Sequence, residues 1–305
     1  MIRKAAIDIG TNTTHLLIAD FAQNRTYTEV SSHRIITRLG EGLSNYKHLN
    51  ETAVQRTLHA LAIYSKEINK YECSKVRAVA TSAVRDADNG KDFVQRVKNE
   101  AGVHIEIIDQ EEEARLATLG VFSGLKEKPE KTIIFDVGGG STEFILADNH
   151  ANPIKIVGLL IGIVHLTEKH VKSDPVNHKD LQSLRNEIKK ELINVKEEIE
   201  YVQDATLIGT AGTPTQFAAL DLDLFPYNPT AVNGHKMSLS IIEKIFNDLK
   251  LKTIVERKAI RAMEHGREDL IIVGGVVLLE TMKLFNKEEI IISDFGLREG
   301  IIIDT

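Results

Sequence analysis

The sequence predicts an α/β protein made of two similar halves. Its 305 residues are enough for about two domains of ordinary size. An apolar strand, an aspartate, a glycine-containing turn and a second apolar strand occur in that order at residues 4–20 and again at 133–145. A third strand and then alternating helices and strands follow each pair, so both halves show the loose order β-β-β-α-β-α-β-α. This repetition indicates a duplicated fold with a cleft between the two copies.

Composition narrows the class of protein. A hydrophobic content of 42% and a charged content of 27% are ordinary for a globular chain. The net charge of −6 and the absence of Trp speak against binding of nucleic acid through bulk charge or through stacking. The single Cys73 excludes an internal disulfide and fits a reducing compartment. Because no signal peptide precedes the first strand and no apolar run approaches the ~20 residues that span a bilayer, we expect a cytoplasmic protein without membrane contact.

The elements of the first half follow from hydrophobic spacing and from breaker residues. Asp8 ends the first strand, and Gly10 lies in the turn to the second. Arg38 follows the third strand beside glycines, where it suits an anion contact as well as a solvated loop. The remaining predictions are a strand at 25–37, a helix at 51–72, a strand at Lys75–Ala80, a helix at Asn89–Glu100, a strand at Val103–Ile108 and a helix that continues to Gly124.

Two groups of polar residues follow strands of this half. The strand Lys75–Ala80 leads into hydroxyl residues and Arg85. Ligands bind at the carboxyl edge of an open α/β sheet, which favours Arg85 as an anion-binding residue over a surface charge. Glu111–Glu113 begin the next helix, where the helix dipole alone is enough to favour acids. A glutamate at this edge could also act as general base toward a water, and residue chemistry leaves both readings open.

The second half begins after a polar linker at Lys126–Lys131. The strand Ala205–Ile208 ends in a small, hydroxyl-rich loop with Gly212 and Thr213 that enters a helix, which suits either an anion site or a tight strand–helix joint. The loop lacks the lysine of a P-loop. The other predictions are a strand at 153–157, helices at 162–170, 176–202 and 216–220, an irregular stretch at 222–238, helices at 239–250 and 253–263, a buried helix at 270–280, a strand at Glu289–Ser293 and a final helix from Asp294.

The turn at Gly138–Thr142 is the strongest candidate for binding chemistry. Three successive glycines let the backbone bend and approach a ligand closely, and their N–H groups can converge on phosphate oxygens. Asp136 and Glu143 flank the turn, where they suit a hydrated Mg²⁺ beside the same phosphate. The alternative is a tight hairpin with two solvated acids.

Together these motifs resemble those of one known family. Asp8–His15 is similar to its D-x-G-S-N-S-x-H, Thr81–Ala87 to T-S-A-x-R-x-A and Glu112–Leu116 to E-E-A-R-L. Asp136–Glu143 matches D-x-G-G-G-S-T-E, and the closing motifs are matched by Arg267-x-Asp269 and by Ser293–Gly300. All of them occur in the family's order from residue 8 to residue 300. The chain thus resembles the Ppx/GppA family of exopolyphosphatases and guanosine pentaphosphate phosphohydrolases.

The resemblance implies two ribonuclease-H-like domains of the actin-like ATPase superfamily, with the active site in the cleft between them. The expected domains are 1–124 plus 294–305, since the last helix packs back on the first domain in the family, and 125–293. Glu113 would be the base that activates water. Asp136 and Glu143, with Asp8, would hold Mg²⁺ or Mn²⁺, and Arg85 would clamp a phosphate. Further candidate phosphate contacts are Thr11, Asn12, Thr13, Arg38, Gly138, Gly139, Gly140, Ser141, Thr142, Gly212 and Thr213.

Some positions depart from the family pattern. Thr11 and Thr13 replace serines but keep the hydroxyl groups. Gly158 and His165 stand where the family often has Ser and Arg, which weakens any phosphate contact there. Longer members of the family continue into a helical region with an HD-like domain, whereas this chain ends at Thr305. We therefore expect short polyphosphate or a small phosphorylated compound as the substrate.

The expected activity is release of the terminal phosphate from inorganic polyphosphate by Mg²⁺-assisted attack of water. The alternatives are a pppGpp 5′-phosphohydrolase and a sensor that binds polyphosphate or (p)ppGpp without hydrolysis. The expected partner is therefore a small anionic substrate. The sequence does not decide between polyphosphate and pppGpp, nor does it decide chain length, the metal or whether the protein forms a homodimer.

Overall fold

The computed structural model describes residues 1–22, 27–199 and 204–305, and within these it leaves the side chains of residues 44 and 45 undescribed. The contacts divide the chain into two compact units. Unit 1 comprises Met1–Ser123 and Gly296–Thr305, and unit 2 comprises Gly124–Phe295. Each unit is built on one β-sheet. That the units are separately folding domains stays a prediction.

Unit 1 contains a mixed sheet in the order β3-β2-β1-β4-β5. Strands β2 and β3 run antiparallel to their neighbours, whereas β4 and β5 run parallel to β1. Its strands are β1 (Ile2–Ile9), β2 (Thr13–Phe21), β3 (Tyr27–Ile36), β4 (Lys75–Ala80) and β5 (Ile105–Ile107), and its helices are α1 (Leu43–Tyr46), α2 (Glu51–Lys70), α3 (Ser82–Arg85), α4 (Gly90–Ala101), α5 (Gln110–Gly124) and, from the C-terminus, α13 (Leu297–Asp304).

The two faces of this sheet bury separate apolar clusters, because successive side chains of a strand point to opposite faces. Ile7 and Ile9 of β1 pack with residues of α2 and α4 on one face. Ala6 packs with α5 and α13 on the other. Helices α5 and α13 approach with backbone contact: a Cβ on Gly120 would lie 1.8 Å from the Gly296 carbonyl oxygen, and one on Gly300 would lie 1.8 Å from that of Leu116.

Unit 2 repeats this topology and adds one strand. Its sheet has the order β10-β11-β9-β6-β7-β8, in which β7 and β8 are antiparallel and β9 is parallel to β6. Its strands are β6 (Lys131–Val137), β7 (Thr142–Asp148), β8 (Pro153–Leu159), β9 (Thr206–Thr210), β10 (Lys236–Ser238) and β11 (Glu289–Ile292), and its helices are α6 (Ile163–His170), α7 (His178–Glu198), α8 (Gly212–Asp221), α9 (Pro229–Val232), α10 (Leu239–Leu249), α11 (Ile254–Lys258) and α12 (Ile271–Leu284).

Helix α12 lies in the core of unit 2. Its residues Ile271–Met282 are all buried, as the uninterrupted apolar run predicts. It packs with α7, α8 and α10 in one cluster that also contains Phe135 of β6. Gly275 allows the close approach, since a Cβ there would lie 2.7 Å from the Phe246 ring and 2.9 Å from that of Phe217.

Most predicted elements are confirmed, with ends that differ by a few residues. The stretch 222–238 is not irregular throughout, because it contains α9 and β10. Asn228 caps α9 through its side chain, and β10 pairs with β11, so capping and a distant strand order residues that lack a periodic pattern. The helix predicted at 253–263 ends at Lys258.

Parts of two predicted elements, residues 25–26 of a strand and 200–202 of a helix, lie outside the described residues. In the ranges that are described, none of the helices has both the length and the apolar content needed to cross a lipid bilayer.

Candidate functional site

In unit 1, three loops at the carboxyl edge of the sheet carry the predicted residues. Asp8 is next to the end of β1, and the Gly10 N–H donates to the Thr13 carbonyl oxygen at 3.0 Å to close the turn. The hydrogen bonding between neighbouring strands continues just past their ends: the Thr81 N–H donates to the Ile9 carbonyl, and the Ile108 N–H donates to the Ala80 carbonyl. The loops after β1, β4 and β5 therefore lie side by side.

The turn after β1 is fixed by contacts that the sequence does not show. The Thr11 and Ser82 hydroxyl groups are 2.9 Å apart and both are buried. The Asn12 carbonyl accepts from the backbone N–H groups of Thr37 and Arg38 at 3.0 and 2.9 Å. The structure thus places Thr11, Asn12 and the backbone of Arg38 together, and it adds Ser82 as a neighbour of the candidate site.

Arg85 and Glu113 form an ion pair at this edge. Arg85 Nη1 donates to Glu113 Oε2 at 2.9 Å and to the Ile108 carbonyl at 3.1 Å. The Glu113 side chain is 14% exposed. Burial raises the pKa of the Glu113 carboxyl above its ordinary value, and Arg85 opposes this effect without cancelling it. A carboxylate with a raised pKa in a polar loop region is suited to accept a proton.

Glu112, the neighbour of Glu113, has a different environment. Its carboxylate accepts from Arg115 Nε at 2.7 Å and from Arg77 Nη2 at 3.1 Å. Arg77 and Arg115 also pair with Asp304 of α13. The bond to Arg115 lowers the pKa of Glu112, and the bond to Arg77 acts in the same direction. Glu112 therefore anchors α5 in an ion-pair network, whereas Glu113 lies beside Arg85.

In unit 2, Asp136 and Glu143 are direct cross-strand partners in the β6–β7 hairpin. Cross-strand partners place their side chains on the same face of the sheet, with Cβ atoms about 5 Å apart. Glu143 is buried and Asp136 is partly buried. Thr210 of β9 is the parallel neighbour of Asp136 and lies next to the same pair.

The donor set of this pair fits a hard divalent cation. Two carboxylates on adjacent positions are the oxygen ligands that Mg²⁺ takes from proteins, with water and substrate phosphate completing its shell. Two such carboxylates side by side repel each other, and a cation relieves that repulsion. Asp8, the third predicted ligand, lies in unit 1 opposite His15. Among the described residues, no three His, Cys, Asp or Glu side chains form a group that could hold a metal ion together.

The first residues of helix α6 form backbone hydrogen bonds with the glycine turn. The Ile163 and Val164 N–H groups donate to the carbonyl oxygens of Gly138 and Gly139 at 3.1 and 3.0 Å. Gly162 permits this approach, because a Cβ there would lie 2.1 Å from the Gly140 carbonyl carbon. With these carbonyl groups bound by α6, the turn is held in one conformation. The close packing of Gly162 against the glycine turn is not predicted from the sequence, because no local signal distinguishes it from other loop glycines.

Two hydroxyl residues of the predicted phosphate set have other contacts. The Thr142 hydroxyl is buried and donates to the Ile161 carbonyl at 3.1 Å. Thr213 is also buried, and it packs against α12 so closely that a Cβ on Gly274 would lie 2.3 Å from its Oγ1. Phosphate contacts at Thr142 and Thr213 through the hydroxyl group would require these contacts to change.

Gly212 opens α8 beside a guanidinium group. A Cβ at Gly212 would lie 1.7 Å from Arg267 Nη1, so the loop and Arg267 are in close contact. Arg267 is buried and pairs with Glu264. In the sequence Arg267 is only part of a motif; its position beside Gly212 follows from the packing of distant segments.

The turns of the two units have the same hydrogen bonding. The Gly138 N–H donates to the Ser141 carbonyl at 3.0 Å, as the Gly10 N–H does to that of Thr13. Each turn follows an aspartate on the strand that pairs in parallel with the next strand of its sheet. Two repeated sheets with such turns are the fold of the actin-like ATPase class.

Within that class, the chain belongs to the Ppx/GppA phosphatase family, whose profile matches residues 17–305. It is 30% identical to exopolyphosphatase 2 of Mycobacterium tuberculosis, with 100% of this chain and 97% of that protein covered. It is 34% identical to a bifunctional 3-dehydroquinate synthase/phosphatase of Fusobacterium nucleatum, covering 99% of this chain but only 46% of that protein. The crystal structure of the Aquifex aeolicus family member superimposes with a TM-score of 0.83 at 34% identity, covering 99% of this chain and 97% of the other.

Proposed function

We propose that this protein is an exopolyphosphatase that releases the terminal phosphate from inorganic polyphosphate. The observation that carries the proposal is the Arg85–Glu113 pair at the carboxyl edge of a Ppx/GppA fold. It provides a carboxylate whose pKa is raised by burial, next to a cation that suits a phosphoryl oxygen. The exopolyphosphatase name of a relative that aligns over nearly the whole chain supports the choice of substrate.

In the proposed reaction, Glu113 accepts a proton as water attacks the terminal phosphorus. A bond forms between the water oxygen and phosphorus, the bridging P–O bond breaks, and its electron pair stays on the shortened polyphosphate. General-base assistance of this kind contributes about 10²–10⁴-fold to the rate. The products are orthophosphate and a chain shorter by one phosphate.

Arg85 has two tasks in this proposal. In the structure it is bound to Glu113, and it is also the candidate clamp for a phosphoryl oxygen. When a phosphate takes over Arg85, Glu113 loses part of its stabilising positive charge, so the pKa of Glu113 rises and the carboxylate becomes a better base. Substrate binding would thereby prepare the base, and free enzyme would keep it in an ion pair.

The backbone amides of Gly139–Ser141 are proposed to bind phosphate oxygens, whereas the Gly138 N–H, predicted from the sequence as a further donor, already donates to the Ser141 carbonyl oxygen. Their conformation is already held by α6 and by the hydrogen bond from Gly138 to Ser141, so little ordering is needed on binding. We propose Asp136 and Glu143 of unit 2 as residues that hold a divalent cation. When bound, Mg²⁺ would neutralise charge on the phosphoryl oxygens and polarise the attacking water.

The test is phosphate release from tripolyphosphate, long-chain polyphosphate and pppGpp at equal concentrations of terminal phosphate, with Mg²⁺ and in parallel with Mn²⁺. We expect release from both polyphosphates, with the highest kcat/KM for tripolyphosphate. A higher kcat/KM for pppGpp would assign the protein to the guanosine pentaphosphate branch instead. Tight binding of all three compounds without phosphate release would refute hydrolysis and support a sensor.

A further inference from the structure

A basic groove on unit 2 is not used by the proposed reaction. It has a volume of about 340 Å³ and lies between α7 and α10. None of its residues belongs to the turns or helices that carry the candidate catalytic residues. Its lining, which we call the α7–α10 groove, consists of His178, Leu181, Gln182, Arg185, Asn186, Lys189, Phe246 and Lys250.

The polar residues of the groove come from one face of α7. Gln182 and Asn186 are four residues apart, as are Arg185 and Lys189, so each pair lies one above the other along the helix. Lys250 faces them from the end of α10. The groove thus presents three cations and two side-chain amides, and its lining contains no acid.

Two of the cations, Arg185 and Lys250, lie over the aromatic ring of Phe246. The Arg185 guanidinium carbon and the Lys250 Nζ both lie 5.8 Å from the centre of the Phe246 ring, within the range of a cation–π contact. Phe246 itself is buried in the core of unit 2. Lys250 is also bound by Asn247 Oδ1 at 2.6 Å. Arg185 and Lys250 therefore lie against the aromatic side chain that lines the groove.

One buried carboxylate lies beneath two of these cations. Glu280 of α12 is 4% exposed and is 3.8 Å from Arg185 Nη1 and 3.7 Å from Lys189 Nζ. Its Oε1 atom accepts no hydrogen bond within the described part of the chain. Arg185 and Lys189 share a single carboxylate at long distance, and Lys250 has no carboxylate partner within the described ranges of the chain. The groove therefore keeps an excess of positive charge, although the net charge of the chain is −6.

We propose that the α7–α10 groove binds a condensed phosphate anion, separately from the hydrolytic site. The groove has the size of a small-ligand pocket, and its cations and amide donors suit an elongated anion with several phosphoryl oxygens. The choice of condensed phosphate over other polyanions rests on the proposed function, since the substrate itself is such an anion. Bound there, a polyphosphate segment keeps the local concentration of substrate high at the enzyme.

The test is isothermal titration calorimetry with sodium tripolyphosphate and Mg²⁺ on the Glu113→Gln variant, whose expected turnover is about 10²–10⁴-fold below that of the wild type. We expect two binding events per chain. In the same background, Arg185→Gln, Lys189→Gln and Lys250→Gln together should remove one event. A control with the same change in charge, Lys126→Gln, Lys128→Gln and Lys131→Gln, alters exposed residues near the start of β6 and should retain both events.

A single substitution, Lys250→Glu, tests the groove in case the triple variant does not fold. Removal of Arg185 and Lys189 leaves the Glu280 carboxylate without its ion-pair partners, which can destabilise unit 2. Lys250→Glu keeps these pairs and reverses one charge at the groove, and it should weaken the groove event by about tenfold or more. Circular dichroism confirms the fold of each variant.

The groove assignment is overturned if the triple groove variant and Lys250→Glu both retain two events of unchanged affinity, or if the background binds at most one tripolyphosphate that these variants do not affect. Light scattering on the same samples tests another occupant: a dimer that the groove variants convert to a monomer would assign the groove to a second copy of the chain. Phosphate release by the wild-type protein is measured independently. Loss of the groove event without any hydrolysis would therefore refute the proposed function and leave the groove site standing.

Discussion

Replacement of Glu113 by glutamine, with the same change at Glu112 as its control, tests the proposed base directly. The two glutamates are adjacent on α5 and the substitutions are identical, so differences report the environment of each side chain. Glu113 is bound by Arg85, whereas Glu112 is bound by Arg77 and Arg115.

We expect Glu113→Gln to lower kcat by about 10²–10⁴-fold, which corresponds to a loss of about 3–5 kcal/mol of transition-state stabilisation. The KM for tripolyphosphate should change little, since the amide keeps the shape of the side chain. Glu112→Gln should change kcat by no more than about twofold, because the Glu112 carboxylate is used within the ion-pair network of α5.

The effects on stability should have the opposite order. The pKa of Glu113 is raised on folding, so its ionised form opposes folding at pH values above that pKa. Glu113→Gln should therefore leave Tm unchanged or raise it at pH 8. The pKa of Glu112 is lowered, so its ionised form stabilises the fold at that pH. Loss of these partly exposed pairs should cost about 0.5–1 kcal/mol.

The assays are steady-state phosphate release and thermal unfolding of the three proteins in one buffer. Wild-type turnover by Glu113→Gln, or a larger loss of kcat in Glu112→Gln than in Glu113→Gln, would refute the assignment of the base. A parallel fall of Tm and kcat in Glu113→Gln would show that the loss of activity comes from damage to the fold.

The other predictions concern Arg85, Gly162 and the metal. Arg85→Gln removes the opposing charge beside Glu113, so the acid limb of the kcat/KM profile should move to higher pH; a limb that stays in place would contradict the coupling of the two residues. Gly162→Ala places a Cβ within 2.1 Å of the Gly140 backbone, so it should lower the free energy of unfolding by about 1–3 kcal/mol and reduce kcat by displacing the glycine turn. Thermal unfolding measures the first effect, and phosphate release measures the second. An unchanged kcat would argue against a role of this turn in binding phosphate. EDTA should abolish phosphate release and added Mg²⁺ should restore it, and Asp136→Asn should raise the Mg²⁺ concentration for half-maximal rate; full activity in EDTA would exclude the proposed use of a cation.

Much of the fold can be predicted from local sequence patterns. The hairpin around Gly138–Gly140 is predicted because apolar residues flank a short glycine-rich turn. The strand predicted at Lys75–Ala80 has the same bounds in the structure. The buried helix α12 also follows from its uninterrupted apolar composition. These features depend on residues close in sequence.

Short elements depend on contacts that a sequence window does not contain. Helix α3 has four residues, and β10 has three. Residues Ser82–Arg85 become helical at the end of β4, where the Thr81 backbone is bound to β1. Strand β10 forms because β11, some fifty residues later, offers it a partner. Neither has enough residues to show a period.

In the candidate site, too, some features follow from residues close in sequence and others only from tertiary packing. By itself, the sequence determined the repeated strand–turn–strand units, the acids beside their turns and the glutamates at the start of α5, because periodicity and turn chemistry act between near neighbours. Only the tertiary structure decided which glutamate pairs with Arg85. Neighbouring helical residues point about 100° apart, and α5 is fixed in rotation by its backbone contact with α13 and by the pairs of Glu112. The positions of Gly162 behind the glycine turn and of Glu280 beneath the α7–α10 groove were likewise set by packing between segments far apart in the chain.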